Sequence, residues 1–141
     1  MPGERIRALG LLLYLYKCTG FLQWGYNFYY GRNSRYAIDP YRSTDGDGVW
    51  PSGDPFIVYP SPEGKPLDSI RHINMLKALE DLRALQTLEC HLGPQKTIAV
   101  IYEDHPGETF SATHYPMDES YYLKLRQKIF SALKQEGENE S

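Results

Sequence analysis

The chain has 141 residues, of which 41% are apolar and 23% charged, a profile that fits one globular domain and excludes a disordered segment or two full domains. A formal net charge of −3 with no basic run argues against nucleic acid as the main partner. The most apolar stretch, Leu9 to Tyr16, is too short to span a bilayer, and Tyr14, Tyr16 and Lys17 occupy the place where a signal-peptide cleavage site would stand.

In chain order, the first element is a helix through Lys17, with Ile6, Leu9, Leu13 and Tyr16 at helical spacing, Pro2 suited to a first turn and Gly20 beyond the end. Leu11, Leu12 and Leu15 widen its apolar stripe, so this helix calls for neighbours on several sides. Phe21 to Trp24, short, apolar and bounded by Gly20 and Gly25, reads as a buried strand. At its end stand Tyr26, Asn27, Phe28, Tyr29 and Tyr30. Aromatic faces beside a planar amide suit a sugar, because the rings cover C–H faces and the amide matches hydroxyl pairs.

Residues 29–55 form a long loop rich in turn formers, including Gly31, Asn33, Pro40, Asp45-Gly46-Asp47-Gly48, Pro51-Ser52-Gly53 and Pro55. Its load of Tyr36, Tyr41 and Trp50 points to an ordered, functional loop. Phe56 to Tyr59 reads as a second buried strand, and Ser61 to Pro66 as a turn. Asp68 or Ser69 caps a helix from about Ile70 to Cys90, with Ile70, Ile73, Leu76, Leu79 and Leu82, continued by Leu85 and Leu88, at helical spacing and a Gly93-Pro94 stop. Residues 95–103 fit a helix or a strand. A last helix starts at Asp118 with Tyr122, Leu125, Ile129 and Leu133 on one face, and an acidic tail follows from Gly137.

Helix, strand, long loop, strand, helix is the grammar of a parallel α/β sheet or barrel, and two strands cannot make either alone. The expected fold class is therefore α/β: the C-terminal portion of a (β/α)8 TIM barrel, its last two strands and flanking helices, plus C-terminal helices. Residues 1–92 make the partial barrel end and residues 93–141 a helical appendage of the same domain.

The run Gly20-Phe21-Leu22-Gln23-Trp24-Gly25-Tyr26-Asn27-Phe28 is followed by Asp45-Gly46-Asp47-Gly48, Pro51-Ser52-Gly53-Asp54-Pro55, Val58-Tyr59-Pro60 and Pro66-Leu67-Asp68-Ser69-Ile70-Arg71. With Asp81, Arg83, Ala84, Leu85 and Gln86, this series resembles the C-terminal part of the glycoside hydrolase family 123 catalytic domain, also called domain of unknown function 4091. The resemblance implies a TIM barrel that removes terminal β-linked N-acetylgalactosamine by a substrate-assisted route. In that route the substrate's acetamido group attacks the anomeric carbon, and an adjacent Asp-Glu pair orients it and protonates the leaving oxygen. It implies that this pair lies on an earlier strand, upstream of the present residues, and that Trp24, Tyr26 and Asn27 wall the sugar pocket. Gln23 stands where the resemblance leads one to expect histidine, and Ala78 where glycine is common.

The expected substrate-binding residues are Trp24, Tyr26, Asn27 and Trp50, although Trp24 could equally be core and Trp50 could pack an Ω-like loop. No catalytic residue, metal or cofactor is expected in the chain. Asp118-Glu119 reads as a helix start rather than a catalytic pair, Ser43 to Asp54 as a glycine turn rather than a calcium loop, and Arg71 and Asp81 as structural ion pairs. Cys18 and Cys90 are too few for a disulfide framework and are expected reduced and at least half-buried. The expected partners are an N-acetylhexosamine-type glycan and the missing N-terminal part of the barrel or a complementing chain. Two rivals stand beside this reading: a non-catalytic binding or interaction remnant of such a domain, and a free-standing small α/β domain. An intact mass of the native protein several times that of these 141 residues is the outcome the barrel-fragment expectation predicts.

Overall fold

The structure, a computed structural model, describes residues 3–139; Pro2, assigned above to a helical turn, and the last two residues of the acidic tail lie outside them. The chain mixes helices with short strands and divides into two compact units, one of Gly3 with Gly20–Met75, the other of Glu4–Thr19 with the residues from Leu76 onward.

The second unit is helical. It contains α1 (Gly3–Leu15) from Glu4 on, most of α2 (Ile70–Leu92), α3 (Pro94–Tyr102) and α4 (Glu119–Asn139). The helices form where sequence places them, but two of them bury a different face. On α1 the covered residues are Ile6, Arg7, Ala8, Gly10, Leu11 and Tyr14, whereas Tyr16 is 58% exposed. On α2 they are Ala78, Asp81, Leu85 and Leu88, whereas Ile70, Ile73, Leu76 and Leu79 are exposed. For α2 the reason is geometric. A strict three-residue repeat falls back by about 60° per step on a helix of 3.6 residues per turn, so it winds around the helix instead of forming one side. Spacings of three and four, as in 78, 81, 85 and 88, do form a side.

Small residues and one charge cluster select that side. A Cβ on Gly10 would fall 1.8 Å from the carbonyl oxygen of Ala78, so glycine is what allows α1 this close to α2. One turn away, the buried Asp81 accepts from Arg7 Nη2 at 2.7 Å and from Arg126 Nε at 2.7 Å, joining α1, α2 and α4. Arg7 is itself buried, with its guanidinium 5.6 Å from the centre of the Tyr122 ring. Around this clamp pack Leu11, Leu85, Leu88, Ile101, Phe110, Leu125 and Ile129. The buried tyrosines keep their hydroxyls satisfied: Tyr121 donates to the Ile101 carbonyl at 2.9 Å and Tyr122 to that of Pro116 at 2.8 Å.

The ambiguous segment 95–103 is helical. Pro94 occupies its first turn, Gly93 precedes it at φ 82°, and Thr97 Oγ1 donates back to the Gly93 carbonyl at 2.9 Å. Asp118 starts α4: its carboxylate accepts from Ser120 N at 3.0 Å and from the Ser120 hydroxyl, which together hold it below the usual aspartate range. Cys18 and Cys90 are free but exposed, not half-buried. Cys90 falls outside the Ala78–Leu88 side of α2, and Cys18 lies past the end of α1.

The first unit carries the strands. β1 (Tyr30–Gly31) pairs antiparallel with β2 (Tyr36–Ala37), and β3 (Val58–Pro60) with β4 (Pro66–Asp68), in the register Val58 to Asp68 and Tyr59 to Leu67. Both ladders are antiparallel, where strand–helix alternation suggested parallel pairing, and no closed barrel forms among the described residues. The expected strand at 21–24 is absent: Phe21 is 50% and Leu22 85% exposed, and ladder-type bonding begins only at Tyr26. A strand needs a partner for its backbone groups, and residues 21–24 have none here, so β propensity has nothing to act on. No described helix is long and apolar enough to cross a membrane.

Two substitutions test the helical clamp. Gly10→Ala is expected to destabilise the protein by about 3 kcal/mol, since the only relief is to push two helices apart. Asp81→Asn leaves Arg7 buried without a counter-charge and should cost about 3–5 kcal/mol in urea unfolding. A loss below about 1 kcal/mol for either would mean that the clamp is idle.

Candidate functional site

The site is built on Phe56–Val58, a segment that is fully buried in the first unit. Residues 26–28 lie along it. Asn27 forms an antiparallel bridge with Phe56, Phe28 N donates to the Pro55 carbonyl at 3.0 Å, and Ile57 N donates to that of Tyr26 at 2.9 Å. Gly25 makes the approach possible, because a Cβ there would lie 2.2 Å from the Asp54 carbonyl oxygen. From the other side, Ser69 Oγ donates to the Ile57 carbonyl and Arg71 Nη2 to the Phe56 carbonyl at 2.9 Å. Ser69 also accepts from His72 N at 3.3 Å, so one hydroxyl caps α2 and docks its start.

This backbone presents a row of rings. Trp24 lies 4.8 Å from Trp50 and 5.8 Å from Phe28, and Phe28 lies 5.6 Å from Tyr30, all tilted. Trp24 is 46% exposed, which decides against a core role. Trp50 is half-buried, packed on Gly46, with its indole N–H enclosed and without a hydrogen-bond partner among the described residues. The structure therefore joins Trp24 and Trp50, which sequence separates by the whole turn-rich loop. Tyr26 faces a different neighbour: its ring lies 5.7 Å from that of His72, nearly perpendicular. Asn27 is exposed, and its amide makes no hydrogen bond to any described residue.

The loop that delivers Trp50 is ordered by its own polar groups. The Asp45 carbonyl accepts from Val49 N at 3.1 Å and Trp50 N at 2.9 Å, and Gly46, Asp47 and Gly48 take left-handed backbone angles. Tyr36 donates its hydroxyl to the Asp47 carboxylate at 2.6 Å. That bond holds Asp47 below the usual aspartate range and raises Tyr36.

Two further residues of the site stand outside the four expected sugar contacts. His72, in the first turn of α2, has its Nδ1 2.7 Å from Asp68 Oδ1; the only hint was their spacing of four. Arg71, expected in an ion pair, has no carboxylate partner among the described residues. It sits over the Phe56 and Tyr59 rings, each 5.9 Å away, and against Gly53, where an added Cβ would lie 3.1 Å from the guanidinium and whose φ of 85° favours glycine. Asp81, by contrast, forms the ion pairs expected of it.

A family model for the glycoside hydrolase 123 catalytic domain matches residues 1–88. No curated protein matches the chain.

Gly25→Ala should separate Trp24 from Trp50 and remove their coupled circular-dichroism signal, at a cost of about 1–3 kcal/mol; an unchanged spectrum would refute the packing. The acid response follows from Asp47. Its depressed pKa means that its contribution to loop order is present above the unfolded value, about 4, and is lost as pH falls through the folded one. Tryptophan fluorescence should accordingly hold steady from neutral pH to about 5 and change below about 4. Tyr36→Phe should abolish most of that change.

Proposed function

This chain belongs to the glycoside hydrolase 123 catalytic-domain family, and from that premise we propose that its exposed aromatic face is one wall of a sugar pocket. The substrate class is a glycan with a terminal N-acetylhexosamine, cleaved with participation of its own acetamido group. Trp24, backed by Trp50, takes the apolar face of the pyranose, while Tyr26 and the unengaged Asn27 amide meet its polar groups. The observation that carries this reading is the Trp24–Trp50 pair, with Trp24 46% exposed at the surface. A soluble protein gains nothing by leaving such a face uncovered unless something docks there.

The proposal assigns the acid chemistry to carboxylates outside these 141 residues. A general acid working near neutrality needs a raised pKa. The displaced carboxylates here, Asp47, Glu89, Asp104, Glu108 and Asp118, are all displaced downward, each mainly because a hydrogen-bond donor holds the charged form. In this reading residues 1–92 are the closing part of a (β/α)8 barrel completed by further chain, and residues 93–141 are a helical appendage. The family match, which stops at residue 88, supports that division.

N-acetylgalactosamine should quench or shift tryptophan fluorescence, and Trp24→Ala should weaken that binding about tenfold. Chromogenic β-N-acetylgalactosaminide should not be turned over by the chain alone. Binding unaffected by Trp24→Ala would sink the assignment of the wall, and turnover by these 141 residues would sink the assignment of the acid.

A further inference from the structure

The Asp68–His72 pair lies beside the aromatic face, and helix stability does not account for it. His72 occupies the first turn of α2, the end where a helix disfavours a cation. Its contact with Asp68 is exposed on both sides, with side chains 36% and 65% accessible, and pairs of that kind add little stability. What the pair does is fix a ring. Asp68 belongs to β4, where it is held opposite Val58, so its carboxylate stands on a paired strand. A carboxylate 2.7 Å from Nδ1 requires the proton there, which leaves Nε2 of the neutral imidazole as an acceptor. No described residue hydrogen-bonds Nε2, and the imidazole meets Tyr26 ring to ring at 5.7 Å.

We propose that His72, oriented by Asp68, is a specificity-determining residue of the sugar site, accepting a hydrogen bond through Nε2 from a hydroxyl of the pyranose that contacts Tyr26. The inference rests on the sugar-wall reading and adds a polar contact to it. A stacked ring selects for a pyranose but not for its hydroxyl pattern, since any C–H face will lie on an aromatic. A fixed acceptor at the border of that ring rewards a hydroxyl in one position and leaves unpaired groups when it is missing. Asp68 is a positioning residue, acting through the imidazole tautomer as carboxylates do behind other functional histidines.

The test is a titration of the 141-residue chain with N-acetylgalactosamine, following the Trp24 indole and the His72 ring nitrogens by NMR. The expected result is that both respond with one affinity. His72→Gln then weakens binding about fivefold with the unfolding midpoint unchanged. Asp68→Asn should redistribute the His72 tautomers, read from the two ring ¹⁵N shifts, and weaken binding without altering the Trp24–Trp50 signal. If Trp24 responds while the His72 nitrogens stay still and His72→Gln binds as well as the parent, the proposal is overturned and the sugar wall stands. If neither residue responds, the wall itself is wrong and the proposal goes with it.

Discussion

The backbone of Phe56–Val58 is the constraint on which the first unit depends. Three consecutive buried residues bring buried carbonyls and N–H groups, and each such group left unpaired costs about 1–3 kcal/mol. They are met by unlike partners: the Tyr26 carbonyl accepts from the Ile57 and Val58 N–H groups, while the Tyr29 hydroxyl donates to the Val58 carbonyl, Ser69 to that of Ile57 and Arg71 to that of Phe56. Satisfying those groups is what places the aromatic row, the start of α2 and the His72 imidazole around one short segment. The site is thus a by-product of backbone accounting, which makes it rigid where it is buried and open where Trp24, Tyr26 and Asn27 face out.

The helical unit solves a different problem with a buried charge. Asp81 accepts from Arg7 and Arg126 at once, and a carboxylate between two guanidiniums keeps more of its hydrogen-bonding capacity filled than a simple pair. Such a cluster adds less net stability than apolar packing would, but it tolerates few alternative registers. Together with the contact between Gly10 and Ala78, it sets which sides of α1 and α2 face one another. Ala78, the position where glycine is common in the resembled family, is fully buried, and its backbone lies against Gly10.

Much of the local structure was legible. The caps of α2 and α4, at Ser69 and Asp118, work through side-chain bonds to nearby N–H groups, and the stop at Gly93-Pro94 works through backbone angles alone; both depend only on near neighbours. The ordered character of the 29–55 loop was legible for the same reason, since its glycines and aspartates bond within the loop. The strand at 21–24 was not, because propensity cannot report whether a partner strand exists. The buried sides of α1 and α2 were legible in part: Ile6, Leu11, Leu85 and Leu88 are buried, whereas Tyr16, Ile70, Ile73, Leu76 and Leu79 are exposed because a glycine and a charge select the side.

Sequence by itself determined α1, α2 and α4, the turns, the family and the residue types from which an aromatic, amide-bearing face can be made, because periodicity, backbone freedom and side-chain chemistry are local properties, while residues 95–103 fitted helix and strand alike. Only the tertiary structure decided that Trp24 meets Trp50, that Tyr26 meets His72 instead, and that Arg71 lies on rings rather than on a carboxylate. Those pairings join residues far apart in the chain. They follow from which buried backbone groups found partners, a question that only the folded chain as a whole can answer.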